Sequence, residues 1–129
     1  MESRARLTEA LLRADAADLE ARVARIEWMA DHVVVAGAIM GPADTLTTLE
    51  EARVCFINGH FIATLVLCCA FVDQVIADEL KERGFRNVTS DLQKCRDEGL
   101  VSNARIDEIE RLRRIRRGYV HRLSDSHEN

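Results

Sequence analysis

The chain has 129 residues, which is enough for one domain with a hydrophobic core. A formal net charge of −4 argues against general affinity for nucleic acid, and the four cysteines include no C-x-x-C pair, which excludes zinc-ligand spacing of that kind. One proline and six glycines leave few turns, and the composition is typical of helices. Cysteines in apolar surroundings and an N-terminus without an apolar signal core predict a cytoplasmic location.

The first predicted element is a long amphipathic helix from residue 5 to about 36. Its apolar residues repeat with the spacing of a heptad, at Leu12, Ala16, Leu19, Val23, Ile26, Ala30 and Val33. This pattern is an a/d seam of three heptads. Such a seam packs inside its own bundle or docks a second copy of the protein. The first alternative is favoured, because the apolar stripe of a helix in a globular protein usually faces the core of its own chain.

Gly41-Pro42 predicts the end of the apolar stretch 33–40, and Asp44 or Thr45 then caps a second helical region. We expect this region to reach Arg83, with a bend or break at Asn58-Gly59.

Residues 54–77 of this second region are apolar almost all the way round, which predicts a helix surrounded by others. The apolar run 61–72 is twelve residues long, whereas a membrane span needs about twenty, so we expect no membrane partner.

Two more helices are predicted towards the C-terminus. Gly84 ends the second region, Thr89 or Ser90 caps a helix of about 90–98, Gly99 closes it, and Ser102 or Asn103 caps a last helix from 104 to about 118 or slightly beyond. The fold prediction is an all-α antiparallel bundle of four to five helices, in a single domain over residues 1–123, with a disordered tail over 124–129.

Residues 104–122 carry seven arginines against three acidic residues, a local net charge of +4 on a remainder of −8. This distribution predicts a localised anion site, with a solvated helix face as the alternative.

On a helical wheel, the last helix has one apolar stripe formed by Ile109, Leu112, Ile115, Tyr119 and Leu123. Arg116 lies inside the stripe, whereas Arg113, Arg114, Arg117 and His121 lie outside it. A guanidinium on an apolar face needs a carboxylate, carbonyl groups, a subunit boundary or a phosphate, unless its side chain reaches out to solvent.

Arg116 and His121 are a candidate catalytic pair, because a fixed cation and an imidazole can together act on a phosphodiester. They are five residues apart, so they point about 140° away from each other on an ideal helix. Arg117 and His121 share a face instead. A joint site for Arg116 and His121 therefore requires either that Gly118 ends the helix or that two subunits form one cleft.

An arginine followed after four to six residues by a histidine on a terminal helix resembles the hallmark of the HEPN superfamily. The segment LEEARVCFINGHFIATLVLCCAFVDQVIADEL resembles the helix pair of that family, and LQKCRDEGLVSNARIDEIERLRRIRRGYVHR resembles the stretch leading into its motif helix. The resemblance covers about residues 45–123. It implies a helical bundle that dimerises, so that two motif helices enclose one cleft.

Many HEPN members are metal-independent endoribonucleases that act as toxins or in antiviral defence, so the resemblance implies an enzyme with no cofactor and no metal. It implies that Arg116 stabilises a pentacoordinate phosphate and that His121 is the general acid or base. Asp73 matches the acidic position of the family's buried helix, where it either orients the arginine or histidine or is a buried carboxylate satisfied by helix ends or by another arginine. An antitoxin or a nucleotidyltransferase is the implied partner, beside RNA and a second copy of the chain.

The remaining candidates surround this pair. Arg113, Arg114, Arg117 and Arg122 are predicted to bind the RNA backbone, and Arg114 also satisfies the looser motif spacing before His121. Tyr119 lies inside the motif. The chain departs from the family at Arg117, where a small polar residue is usual, and at Leu123, where one toxin branch has a tyrosine.

The alternative is a non-catalytic module of the same fold that binds RNA or a protein partner. A pair between Arg116 and Asp73 within one bundle, with His121 facing bulk water, weighs towards that alternative.

Overall fold

The computed structural model describes residues 2–32 and 43–125. They form five α-helices: α1 (Glu2–His32), α2 (Ala43–Ile57), α3 (Phe61–Glu82), α4 (Asp91–Asp97) and α5 (Asn103–Asp125). The described ranges contain no strand. The predicted all-α bundle with a long first helix is confirmed.

Glycines and serines set most of the helix ends, as predicted. Gly59, Gly84 and Gly99 follow α2, α3 and α4 with φ of 79°, 84° and 64°, a conformation that interrupts a helix and that glycine adopts without strain. The amide of Gln93 donates to the Ser90 hydroxyl at 3.4 Å, which caps α4. Ser102 caps α5 in the same way.

Three boundaries differ from the prediction, the first being the start of α1 at Glu2 instead of residue 5. Helix α2 already includes Ala43, so neither Asp44 nor Thr45 is its N-cap; Thr45 is buried, and its hydroxyl donates to Asp78 Oδ2 of α3 at 3.2 Å. Helix α5 passes through Gly118 and reaches Asp125; a single glycine inside a helix costs only about 1 kcal/mol relative to alanine, which does not break a helix of 23 residues. Residues 124 and 125, which were predicted to belong to a disordered tail, lie in α5, and the predictions for residues 33–42 and 126–129 lie outside the described residues.

The core lies where the second half of α3 meets α4 and the first half of α5. Its buried members are Ile76, Leu80, Leu92, Cys95 and Ile106. All four cysteines are free, and burial raises the pKa of the Cys68, Cys69 and Cys95 thiols. This core fixes α5 across α3, which positions the polar cluster described below.

The expectation that α3 is surrounded by other helices is wrong within this chain. Only Cys69, Ile76 and Leu80 of α3 are buried, because α2, α4 and α5 cover one side and leave apolar residues such as Ile62 and Val66 exposed. By length and composition, α3 could cross a membrane: its most apolar window has a mean hydropathy of 1.9, and 11% of that window is buried. The absence of a membrane partner therefore stays a prediction.

Helix α1 contacts α2 through the second half of its length. Arg25 Nη1 donates to the Ile57 carbonyl at 2.7 Å, and the rings of Trp28 and Phe56 lie 5.5 Å apart. No described residue of α1 is buried, and its heptad seam is exposed from Leu12 through Ala30. The favoured intramolecular packing of that seam is therefore wrong, because α2 meets a different face of the helix.

Candidate functional site on the last helix

The candidate site is a cluster of charged side chains where α5 crosses α3. Asp73 lies near the middle of α3, just after the half-buried Val72, and faces α5. One turn earlier, the Cys69 thiol lies 3.9 Å from the Leu112 carbonyl of α5. The close approach of the two helices brings the carboxylate of Asp73 within reach of two arginines of α5.

Arg113 binds two carboxylates at once. Its Nε and Nη2 donate to Asp73 Oδ1 at 3.0 and 2.7 Å, while Nη1 and Nη2 donate to Asp91 Oδ1 and Oδ2 at 3.0 and 2.7 Å. Since Asp91 is the first residue of α4, one guanidinium connects α3, α4 and α5. Short, charge-assisted and bidentate contacts of this kind are among the stronger polar interactions in proteins.

Arg113 therefore does not occupy the outer face on which the helical wheel places it. Its side chain is 20% exposed, less than the 28% of Arg116. The wheel measures only the angle from the apolar stripe, and it contains no information about acidic side chains on neighbouring helices. The guanidinium of Arg113 already binds two carboxylates between the helices. This arrangement argues against its predicted role in RNA binding.

The charges of this cluster stabilise each other. Hydrogen bonds from Arg113 hold the pKa of Asp91 below its usual range, against the opposing effect of burial. The two carboxylates in turn raise the pKa of Arg113, Asp91 having the largest effect. The sequence does not identify Asp91 as a site residue, because an acidic residue in the first turn of a short helix is common for local reasons alone.

Arg116 contacts the other oxygen of the same aspartate. Its Nη1 donates to Asp73 Oδ2 at 3.0 Å, so the predicted need of this arginine for a partner is met by a carboxylate within one bundle. The contact uses one guanidinium nitrogen and leaves the edge formed by Nε and Nη2 outside it. Asp73 thus holds the arginine at a fixed position on the apolar stripe.

His121 is exposed on a different face of α5. The helix continues through Gly118 without interruption, so the alternative in which a break at Gly118 swings the histidine round is wrong. On a continuous helix Arg116 and His121 point about 140° apart. One copy of α5 therefore does not aim both side chains into one site, and only the two-subunit alternative brings them together.

Several exposed cations accompany His121. Arg114, Arg117 and Arg122 are all exposed, and the guanidinium of Arg122 lies 5.9 Å from the centre of the Tyr119 ring. Arg114 and Arg117 precede His121 by seven and four residues, which places the three on one face. We call the exposed arginines beside His121 the cationic face of α5; unlike Arg113, they are not enclosed between helices.

Apolar side chains of α5 are exposed beside the charged cluster. Ile115, Tyr119 and Val120 remain accessible, and Val66 on the neighbouring α3 is accessible as well. Two shallow depressions of the surface lie elsewhere, at the start of α1 and along the loop between α3 and α4. Within the described ranges, no group of three or more His, Cys, Asp and Glu residues could hold a metal ion.

Comparisons with known proteins leave the family open. No family model, curated protein or solved structure matches this chain. Membership of the HEPN superfamily therefore stays a prediction that depends on the quoted motif and helix order.

Proposed function

We propose that the chain is a metal-independent endoribonuclease of HEPN type that acts as a homodimer, in the role of a toxin or defence effector in the cytoplasm. The observation that carries the proposal is the free edge of Arg116: Nε and Nη2 stay outside its contact with Asp73, on a helix that also exposes Arg114, Arg117 and His121. The acidic partner sits at the position that the family resemblance gives to such a residue. His121 supplies a titratable group on the same helix.

The chemistry needs no metal, because RNA carries its own nucleophile. His121 accepts the proton of the 2′-hydroxyl, the 2′-oxygen bonds to the adjacent phosphorus, and the bond from phosphorus to the 5′-oxygen breaks. The leaving oxygen takes up a proton from a protonated histidine or from water. Arg116 stabilises the negative charge that grows on the phosphate oxygens. The products are a 2′,3′-cyclic phosphate and a 5′-hydroxyl.

The active site is composite in this proposal. Because α5 is continuous, Arg116 of one subunit acts with His121 of the other, across a cleft between two motif helices. Exposed Ile115, Tyr119 and Val120 offer apolar surface beside that cleft. Tyr119 then supports the interface and is not a chemical group of the reaction.

RNA is gathered by the cationic face of α5. Arg114, Arg117 and Arg122 are exposed and can each neutralise a phosphate, while the rest of the chain is acidic. Binding at one such face is local, so it does not require a basic protein. An antitoxin or nucleotidyltransferase partner belongs to the same proposal, although Leu123 occupies the position of the modified tyrosine of one toxin branch.

The second candidate is a non-catalytic helical module that binds RNA or a protein partner. The pair between Arg116 and Asp73 within one bundle favours it, because this pair satisfies the arginine without any ligand. The exposure of His121 favours it too. In this alternative the arginines hold phosphates or carboxylates, and no proton is transferred.

The two candidates are separated by incubating purified protein with labelled RNA in EDTA. The ribonuclease proposal expects cleavage, reduced about 10²–10⁴-fold in His121→Ala and by a comparable factor in Arg116→Ala. His60→Ala and Arg105→Ala are matched controls, since both residues are exposed and lie outside the cluster. Intact RNA with the wild type, or cleavage by both α5 variants at the wild-type rate, contradicts the proposal and leaves the binding module.

A further inference from the structure

The exposed seam of α1 is a regular apolar feature that the fold leaves without a partner among the described residues. Leu12, Leu19, Val23 and Ile26 are 46–64% exposed, and Ala16 and Ala30 between them are exposed as well. Residues 2–17 are exposed throughout, so the first half of α1 extends beyond the rest of the bundle. In proteins most of the stability of a helix comes from packing of its apolar face, and the first half of α1 has no such packing within the described residues.

We propose that a second copy of this chain covers the seam of α1, and that the two helices pair as an antiparallel coiled coil. The contacts of α1 within its own chain leave room for such a pair. Arg25 and Trp28 reach α2 from positions outside the heptad seam. The seam residues lie outside the face of α1 that contacts α2, so a partner helix can pack against them.

The apolar residues fit each other in the antiparallel arrangement. With Leu12, Leu19 and Ile26 at d and Ala16, Val23 and Ala30 at a, the layers of an antiparallel pair join a residues to d residues. Ala16 then lies opposite Leu19 of the partner subunit, and Leu12 opposite Val23 of the partner subunit. In the central layers Ala16 faces a leucine and the side chains can interdigitate, whereas the next layer at each end sets Ile26 opposite Glu9 of the partner subunit.

The charges beside the seam select this orientation. At e the sequence has two arginines followed by two glutamates, namely Arg6, Arg13, Glu20 and Glu27. In an antiparallel pair, Arg13 lies beside Glu20 of the partner subunit, and Arg6 beside Glu27 of the partner subunit. On the other edge, Asp15 lies beside Arg22 of the partner subunit. Every charged flanking pair is therefore of opposite sign.

The parallel arrangement fits less well. It sets Asp15 beside Glu20 of the partner subunit and brings the two copies of Glu9 together at an a position. Arg22 beside Glu27 of the partner subunit is its one attractive pair. Like charges along a seam weaken association and act against that orientation.

This inference does not depend on the ribonuclease proposal, because α1 carries none of the proposed catalytic residues. The α1 interface and a cleft between two copies of α5 use different surfaces. A protein that pairs through α1 but leaves RNA intact refutes only the function, and the reverse result refutes only the α1 interface.

The first test is sedimentation equilibrium of the full chain over micromolar concentrations. The wild type is expected to associate, and Leu19→Glu to weaken that association at least about 100-fold, because it places a charge inside the seam. Leu7→Glu is the matched control, since Leu7 is also an exposed leucine of α1 but lies outside the heptad pattern. A wild type that stays monomeric, or equal behaviour of the two variants, overturns the inference.

The second test reads the orientation. Glu20 has only Ala and Val three and four residues away along α1, so Glu20→Arg leaves the ion pairs within the helix intact. Antiparallel pairing predicts about tenfold weaker association for Glu20→Arg, and recovery when Arg13→Glu is added. Parallel pairing predicts tighter association, because the new arginine would face Asp15. Tighter or unchanged association of Glu20→Arg overturns the antiparallel arrangement, even if a seam variant fails to fold.

Discussion

Replacing Arg113 with methionine tests whether this arginine connects three helices. Methionine keeps much of the unbranched apolar part of the side chain but removes all four hydrogen bonds to Asp73 and Asp91. Asp91 would then lose its guanidinium partner and lie near Asp73, which keeps only its contact with Arg116. The variant should therefore lose the attraction between Arg113 and the two carboxylates, and the repulsion between the carboxylates should increase.

The magnitude follows from the burial of the three partners. Exposed ion pairs contribute about 0–1 kcal/mol, and breaking a fully buried pair costs about 3–5 kcal/mol. Arg113 is 20% exposed and its two partners are 36% exposed, so the cluster lies between these limits and solvent screens part of the interaction. We expect Arg113→Met to lower the free energy of unfolding by about 2 kcal/mol.

Urea denaturation followed by circular dichroism measures this loss. For a chain of this size, about 2 kcal/mol corresponds to a fall of about 1 M in the urea midpoint. Arg105→Met is the control, because the pair of Arg105 with Glu108 lies on the same helix but is 72% and 65% exposed, and it should change stability by less than about 0.5 kcal/mol. Both variants must be compared at one protein concentration. A loss for Arg113→Met no larger than that of the control refutes the connecting role.

Three further predictions concern acid stability, glycines and RNA binding. Because the folded-state pKa of Asp91 is lowered, Asp91 stabilises the fold above its ordinary pKa of about 4, and this stabilisation is lost as the pH falls below that value. Asp91→Asn should therefore flatten the curve of unfolding free energy against pH between about pH 5 and 2. An unchanged pH dependence contradicts this prediction. Gly59→Ala should cost about 1–2 kcal/mol, because φ is 79° there, whereas Gly118→Ala, in open space within α5, should gain about 0.5–1 kcal/mol; thermal melts that rank the two variants the other way refute the backbone argument. Replacing Arg114 or Arg117 with alanine should each reduce the slope of log affinity for RNA against log salt by about 1, measured by fluorescence anisotropy, and a slope unchanged in both variants would remove RNA from the cationic face.

The helix order could be predicted from sequence because local signals set it. Gly59, Gly84 and Gly99 stop helices by their own backbone preference, and the hydroxyls of Ser90 and Ser102 satisfy amides a few residues away. Each signal acts over a few residues and needs no information about the rest of the fold. The predicted break at Asn58-Gly59 and the short helix before Gly99 were correct for that reason.

The parts that could not be predicted all depend on contacts between distant residues. Arg113 joins α3 and α4 because two aspartates, 40 and 22 residues away, meet it in space. Thr45 looks like a cap but is buried against Asp78. The seam of α1 has the pattern of a packed helix, yet its pattern does not specify whether the same chain or another copy supplies the partner. The periodicity of a helix identifies its apolar face, but it does not identify the element that packs against that face.

Subunit complementation tests the central claim, a composite ribonuclease site, most directly. Arg116→Ala and His121→Ala proteins are each prepared inactive, mixed in equal amounts under conditions that exchange subunits, and assayed for RNA cleavage in EDTA. If each site takes Arg116 from one copy and His121 from the other, a mixed dimer keeps one intact site, and random exchange restores about one quarter of the wild-type rate. A mixture that stays as inactive as its two components contradicts the composite site.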